Sequence, residues 1–150
     1  MEFNLLLIGG LTGAENRLIT DVIKVKAYLT NGAVEVLEKH QSLLGKIEDN
    51  IIEVESNFQN REKKEIFVLK NAVFQISDEE NRTSVITFTQ DYREITEKTS
   101  IEAIQEEIEK KGKLLEASQS SLNSLLLEKE IFFLKKVISV TKDYKALGFN

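Results

Sequence analysis

The apolar residues of this chain change period once, near residue 95, and that single change divides what the chain can fold into. Up to that point they alternate: Phe3, Leu5 and Leu7; Ile23, Val25, Ala27 and Leu29; Val34 and Val36; Ile52 and Val54; Ile66 and Val68; Phe74 and Ile76; Ile86 and Phe88. Side chains two apart lie on the same face of a strand, so each run predicts a strand with one buried face. Turn residues separate the runs at Gly9-Gly10 with Gly13, at Asn31-Gly32, at Gly45, at Asn60-Arg61 and across residues 78–82. Many short strands punctuated in this way predict an antiparallel β-sandwich over residues 1–95.

Past Thr99 the spacing becomes helical. The T-S-I-E of residues 99–102 has the spacing of a capping box, which makes Thr99 the predicted N-cap, with Glu102 reaching back. Ile101, Ile104, Ile108 and Leu115 then form a narrow stripe that suits one partner helix. Gly112 interrupts it at about 1 kcal/mol relative to alanine, which predicts a bend or fraying there. The serines at 118, 120 and 121 mark a reversal, and a second helix runs to Leu147 with Gly148 as its stop. Its predicted seam is Leu122, Leu126, Phe133, Val137, Val140, Tyr144 and Leu147. Over residues 131–138, however, apolar side chains point in most directions and leave only the sectors of Lys135 and Lys136 polar. Such a helix needs cover on more than one side, from the first helix on one and from the sandwich or another subunit on the rest. The fold class is therefore β plus α, a sandwich followed by an antiparallel two-helix hairpin over residues 96–150.

Composition removes whole classes of function. A chain of 150 residues buries roughly two-thirds of its unfolded surface, enough for one domain or a small domain with an appended element. With 41% hydrophobic and 30% charged residues it reads as a globular protein and not as a disordered tail. A net charge of −5 offers nucleic acid no basic footprint. Without cysteine there is no disulfide, thiolate metal site or cysteine nucleophile. No apolar run is long enough to cross a bilayer, and residues 3–8 lack the basic flank of a secretory signal, so a soluble, intracellular protein is expected.

Candidate chemistry is equally sparse. His40 is the only histidine, so there is no histidine pair or His-rich metal site, no serine-histidine-aspartate set of the usual sort can be assembled around it from the sequence, and it reads as an ordinary loop side chain. The glycine-rich stretch 9–13 lacks the Gly-Lys-Ser/Thr ending of a phosphate loop and reads as a turn. Asp78, Glu79 and Glu80 read as a solvated turn and not as a calcium site. Glu106 and Glu107 stand four residues before Lys110 and Lys111, the spacing of an exposed helix face. With no nucleophile and base to name, the chain reads as a non-enzyme without cofactor or metal.

Three stretches, taken in order, resemble the epsilon subunit of F-type ATP synthases. Residues 30–44 read T-N-G-A-V-E-V-L-E-K-H-Q-S-L-L. They are similar to that family's loop x-G-E-x-G-x-L-P-G-H-x-P-L, with Gly32, Leu37, His40 and Leu43 in register. Ala33, Glu35, Glu38, Lys39 and Ser42 stand where the family has Glu, Gly, Pro, Gly and Pro. Residues 67–76 resemble its V-S-G-G-F-L-E-V hairpin, with Asn71 and Ala72 in place of the two glycines, and residues 85–95 resemble the strand V-T-V-L-A-D-T-A-E that leads into the helices.

The resemblance implies a non-catalytic central-stalk subunit. Its sandwich would dock on a gamma-like subunit and its hairpin could regulate ATP hydrolysis in the alpha/beta-type catalytic head. The complex would be peripheral to the membrane on the cytoplasmic side, with no direct membrane insertion and no nucleic acid. His40 and Gln41 would lie in the loop that faces a membrane ring subunit, although Ala33 replaces the usual ring-facing glutamate. Phe132, Lys135, Lys136 and Lys142 would form a protein-contact face on the second helix, opposite an acidic segment of the head. The I/L-D-x-x-R-A nucleotide motif of some family members is replaced at Thr96, Thr99 and Ser100, which implies no ATP binding there. Two other readings remain open: the same subunit in a divergent motor that does not synthesise ATP, and an unrelated β-domain with a coiled-coil arm that acts as a structural adaptor.

Overall fold

The structure, a computed structural model, describes residues 2–9 and 15–148. It divides into two compact units, Met1–Glu94 and Ile95–Asn150. Among the described residues the first unit holds eight strands: β1 (Glu2–Gly9), β2 (Arg17–Ile19), β3 (Val22–Leu29), β4 (Gly32–Val36), β5 (Leu43–Ile47), β6 (Asn50–Phe58), β7 (Arg61–Glu79) and β8 (Arg82–Ile95). The second holds α1 (Ile101–Ala117) and α2 (Ser121–Leu147). The expected strand-rich domain followed by a helical hairpin is what the chain forms.

The strands run in the order β2-β1-β8-β7-β6-β3-β4, with β5 added to β7. β1 approaches β3 without pairing to it, so the sheet curls over its own core. That core is built from Phe3, Leu5, Leu7, Val25, Ala27, Ile52, Val54, Phe67, Leu69, Phe74 and Ile76, all buried. One pairing departs from the antiparallel pattern: β1 lies parallel to β8, from Glu2↔Arg82 to Gly9↔Thr89. The turns are short. Thr30-Asn31 joins β3 to β4, and Gln59-Asn60 joins β6 to β7 with both residues at positive φ (53° and 62°), the conformation of a type I′ hairpin. Of the turn expected at residues 9–13, only Gly9 is among the described residues, and it ends β1.

Several expectations need correction. Gly45 is no turn but lies inside β5, where a Cβ would come 2.6 Å from the Leu29 Cδ1, so the glycine there makes room for a side chain on the neighbouring strand. Residues 67–76 form no hairpin. They belong to the single strand β7, which pairs with β6 up to Leu69 and with β5 from Ala72, changing partner around Asn71. Asn71 has φ 48°, a left-handed residue that bends the strand without reversing it. In β3 a bulge between Val22 and Lys24 turns Val22 inward and leaves Ile23 exposed. In β7 the core face is Phe67 and Leu69; Ile66 and Val68 are also buried, on the opposite face.

β8 inverts the expected register altogether. Its buried side chains are Thr83, Val85, Thr87 and Thr89, whereas Phe88 is 48% exposed. A threonine tolerates this position when its hydroxyl finds a partner and its methyl packs. Thr89 donates to the Lys70 carbonyl (2.9 Å) or the Asp91 carbonyl (2.6 Å), while the Thr87 Oγ1 is buried with no partner among the described residues. An unmet buried hydroxyl costs about 1–3 kcal/mol. Thr87→Val, which keeps the shape and removes the hydroxyl, is therefore expected to raise the urea midpoint at unchanged m-value. A lowered midpoint would mean that the hydroxyl has a partner after all.

In the helical unit the N-cap of α1 is Ser100, not Thr99: its hydroxyl accepts from the Ala103 N–H at 3.2 Å. Thr99 is used one turn earlier, accepting from the Thr96 N–H at 2.9 Å. α1 runs unbroken through Gly112, so the single glycine does not end it. Ser120 caps α2, and Gly148 follows its last turn at φ 84°. The predicted seam of α2 holds only in its middle. Phe133, Val137 and Val140 are buried together with Leu134, Ile138 and Thr141, whereas Leu122, Leu126 and Leu147 are exposed. A Lys111–Glu130 ion pair at 2.6 Å joins the two helices.

Among the described residues, every strand and the core they enclose lie before residue 96. A chain ending at Ile95 is expected to unfold cooperatively on heating, since three or more strands with a common apolar face can stand alone. A broad, non-cooperative melt would show that the helices are needed to complete the fold.

Candidate protein-contact surfaces

The loop of residues 37–42 joins β4 to β5 and carries two of the expected contact residues. It is closed by the His40 N–H, which donates to the Leu37 carbonyl at 3.2 Å. Lys39 stands in the turn at φ 64°, where a residue with a Cβ is disfavoured by roughly 1–2 kcal/mol. What holds it is off the loop. The Lys39 N–H donates to the Thr83 hydroxyl at 2.9 Å, and that fully buried hydroxyl itself donates to the Asp78 carboxylate at 3.3 Å. Neither Thr83 nor Asp78 was legible as a site residue. The only signal in the sequence is a threonine on an apolar strand.

His40 is half-buried, with its Nδ1 2.7 Å from the Gln41 carbonyl, and Gln41 is exposed. The ring is thereby tied back on its own loop. Beside it Leu37 and Leu44 are exposed, Leu44 to 70%, so the loop offers apolar as well as polar contact area.

On α2, Phe132 is 64% exposed and Phe133 only 1%. The 100° step between consecutive helical residues puts these neighbours on different faces. Lys135 and Lys136 follow Phe132 by three and four residues and so share its side of the helix; Lys135 is exposed and Lys136 half-buried. Lys142 is exposed two turns beyond Lys135, on the same line. Phe132, Lys135, Lys136 and Lys142 thus lie on one side of the helix, which the exposed Glu128 and Asp143 share. The loop residues and the helix residues belong to different units, and each group forms a surface by itself.

The hydroxyls at the start of α1 are already engaged: Thr99 with the Thr96 N–H and Ser100 with the Ala103 N–H. No arginine stands at this turn to meet a phosphate. Titration of the protein with magnesium-ATP in a calorimeter is expected to give no saturable heat, and micromolar binding would overturn the reading of this turn. Among the described residues no group of three acidic or histidine side chains is placed to hold a metal ion. Among the described residues no helix is long and apolar enough to cross a membrane.

No protein-family model matches the sequence, and no curated protein matches it. Solved structures do match the fold. One is a chain in the structure of the Euglena gracilis mitochondrial ATP synthase described as OSCP, F1 and c-ring in rotational state 1. The match has a TM-score of 0.57 and 14% identity, and covers 91% of this chain and 79% of that one. Another is a chain in the structure of the central stalk and c-ring of the Tetrahymena thermophila mitochondrial ATP synthase. Its TM-score is 0.50 and its identity 8%, over 94% of this chain and 97% of that one.

Proposed function

We propose that this chain is a non-catalytic, epsilon-type subunit of the central stalk of an F-type rotary ATPase. The observation that carries the proposal is the fold match to chains in two mitochondrial ATP synthase structures, each spanning more than nine-tenths of this chain. The resemblance of residues 30–44 to the epsilon loop supports the same reading. Lys39 occupies the position of a family glycine, and its φ of 64° is the conformation that a glycine adopts freely. The residue differs and the backbone conformation is one suited to glycine.

In this role the sandwich docks on a gamma-like subunit, with His40, Gln41 and the exposed Leu37 and Leu44 at the loop that faces a ring subunit. The Phe132 and lysine face of α2 meets an acidic partner in the alpha/beta-type head and regulates hydrolysis there. The protein is not an enzyme and binds no cofactor. It is cytoplasmic and peripheral to the membrane only through its complex. A second reading rests on Ala33, exposed in β4 where the family has a ring-facing glutamate: the same subunit in a motor that drives a process other than ATP synthesis.

The test is purification of the complex from its native cells through a tag on this chain. Alpha-, beta- and gamma-like ATPase subunits should co-purify. A ring subunit in the complex would favour a synthase and its absence the divergent motor. Recovery of self-copies alone would replace both readings by a structural adaptor.

A further inference from the structure

β2 is a three-residue strand at the edge of the sheet, and its backbone pairs with β1 alone, through Leu5↔Ile19, Leu6↔Leu18 and Leu7↔Arg17. So short a ladder holds a strand weakly. The alternation places Arg17 and Ile19 on the side of Leu5 and Leu7, the core side, which puts a guanidinium over the apolar interior. It is fully met there. Arg17 donates to Glu65 of β7, and at 3.1 Å to Glu94 near the end of β8, and its Cζ stands 5.6 Å from the centre of the Phe67 ring. Tyr92 meets the edge of that ring at 5.9 Å, and its hydroxyl donates to the Glu15 carbonyl just ahead of β2. The Glu65 side chain is 5% exposed, with Lys63 as a second cation at 3.7 Å. Burial alone would lower the Arg17 pKa, but the charges of Glu65 and then Glu94 turn the net shift upward, so the guanidinium stays charged.

We infer that Arg17 is a latch: one side chain fastens the edge strand β2 across the core face to β7 and β8, and β2 in turn covers the edge of β1. Three features point to a latch and not to general stabilisation. The strand it holds has few backbone pairs, both carboxylates sit on strands that β2 does not pair with, and the Tyr92 bond to Glu15 secures the same segment just ahead of the strand. When the latch opens, β2 lifts away as a unit. The amides of residues 5–7 that had faced it become a free sheet edge able to accept another extended chain. Leu18, which stands beside Leu6 on the outer face, leaves with it.

The experiment is amide hydrogen exchange on the full chain, comparing the native protein with Arg17→Met, which keeps much of the aliphatic volume and loses the charge. Amides of residues 17–19, and those of residues 5–7 that face them, should exchange on the order of tenfold faster, the size expected from losing charge-assisted hydrogen bonds. Amides of the β3–β6 and β6–β7 ladders should stay close to native. Acceleration spread evenly over the sheet, or none in β2, overturns the latch. If Arg17→Met does not fold, Glu94→Gln removes one charged partner and leaves Glu65 in place. A smaller acceleration confined to β2 then supports the inference, and exchange unchanged in β2 overturns it.

Discussion

Phe133→Ala will cost about 3–5 kcal/mol of stability, while Phe132→Ala, one residue away, will leave the melt nearly unchanged. The Phe133 ring is 1% exposed, so its removal loses the transfer free energy of a large side chain and leaves a cavity that its surroundings can only partly fill. The Phe132 ring is 64% exposed and has little burial to lose on truncation. Its loss should appear in assembly instead, as weaker retention of the protein on a reconstituted ATPase complex, because truncating an anchor between molecules changes affinity and not folding. Urea denaturation of both variants, paired with pull-downs against the gamma-like subunit and the catalytic head, separates the two roles. Equal destabilisation by both changes, with assembly unaltered, would remove Phe132 from the contact face.

The second large effect is at Phe67. Its ring is fully buried in the sandwich core, makes an edge contact with Tyr92 and lies beneath the Arg17 guanidinium. Phe67→Ala is expected to cost about 3–5 kcal/mol for the lost burial and the cavity. The aromatic pair adds roughly 0.5–1.5 kcal/mol beyond area, and the two figures overlap because they concern the same ring. Phe88→Ala is the matched control. It removes the same side chain from the outer face of β8 and should cost about 1 kcal/mol or less. The pair also tests the inverted register of β8: a large loss at Phe88 would put the phenylalanine back in the core and the threonines outside.

That register shows where sequence reasoning stops. Alternation located β1, β4 and β6 correctly because each has its expected inward set, Phe3, Leu5 and Leu7, Val34 and Val36, Ile52 and Val54, even though Leu6, Ile8 and Ile51 stand on the outward side. In β8 both faces carry β-branched or apolar side chains, Thr83, Val85, Thr87 and Thr89 against Ile86 and Phe88, so period two locates the strand without saying which face is buried. What decides is tertiary: Thr83 has Lys39 and Asp78 to bond with, and those partners lie 44 residues before and five residues before it. The same limit applies to Gly45, whose spacing resembles a turn and whose reason is the Leu29 side chain across the sheet. The helix boundaries were legible to within a residue since capping is local, and Ser100 displaced Thr99 only by being the next hydroxyl along. The exposed position of Phe132 beside the buried Phe133 was legible as a helical stripe. The support beneath the 37–42 loop was not, because it comes from β7 and β8.

The parallel pairing of β1 with β8 also sets a timetable. Leu5 lies beside Val85, eighty positions later in the chain, with every other strand of the sheet made in between. At a synthesis rate of about 5–20 residues per second, β1 waits roughly 4–16 s before the strand it needs has even been made. During that interval β1 has only the three-residue β2 beside it, so Phe3, Leu5 and Leu7 form an apolar segment with one strand edge unpaired, and closing so long a loop is slow once β8 arrives. The nascent chain is thus most prone to aggregation through its first strand. A protein that is stable once complete depends, while it is being made, on how well that strand is sheltered.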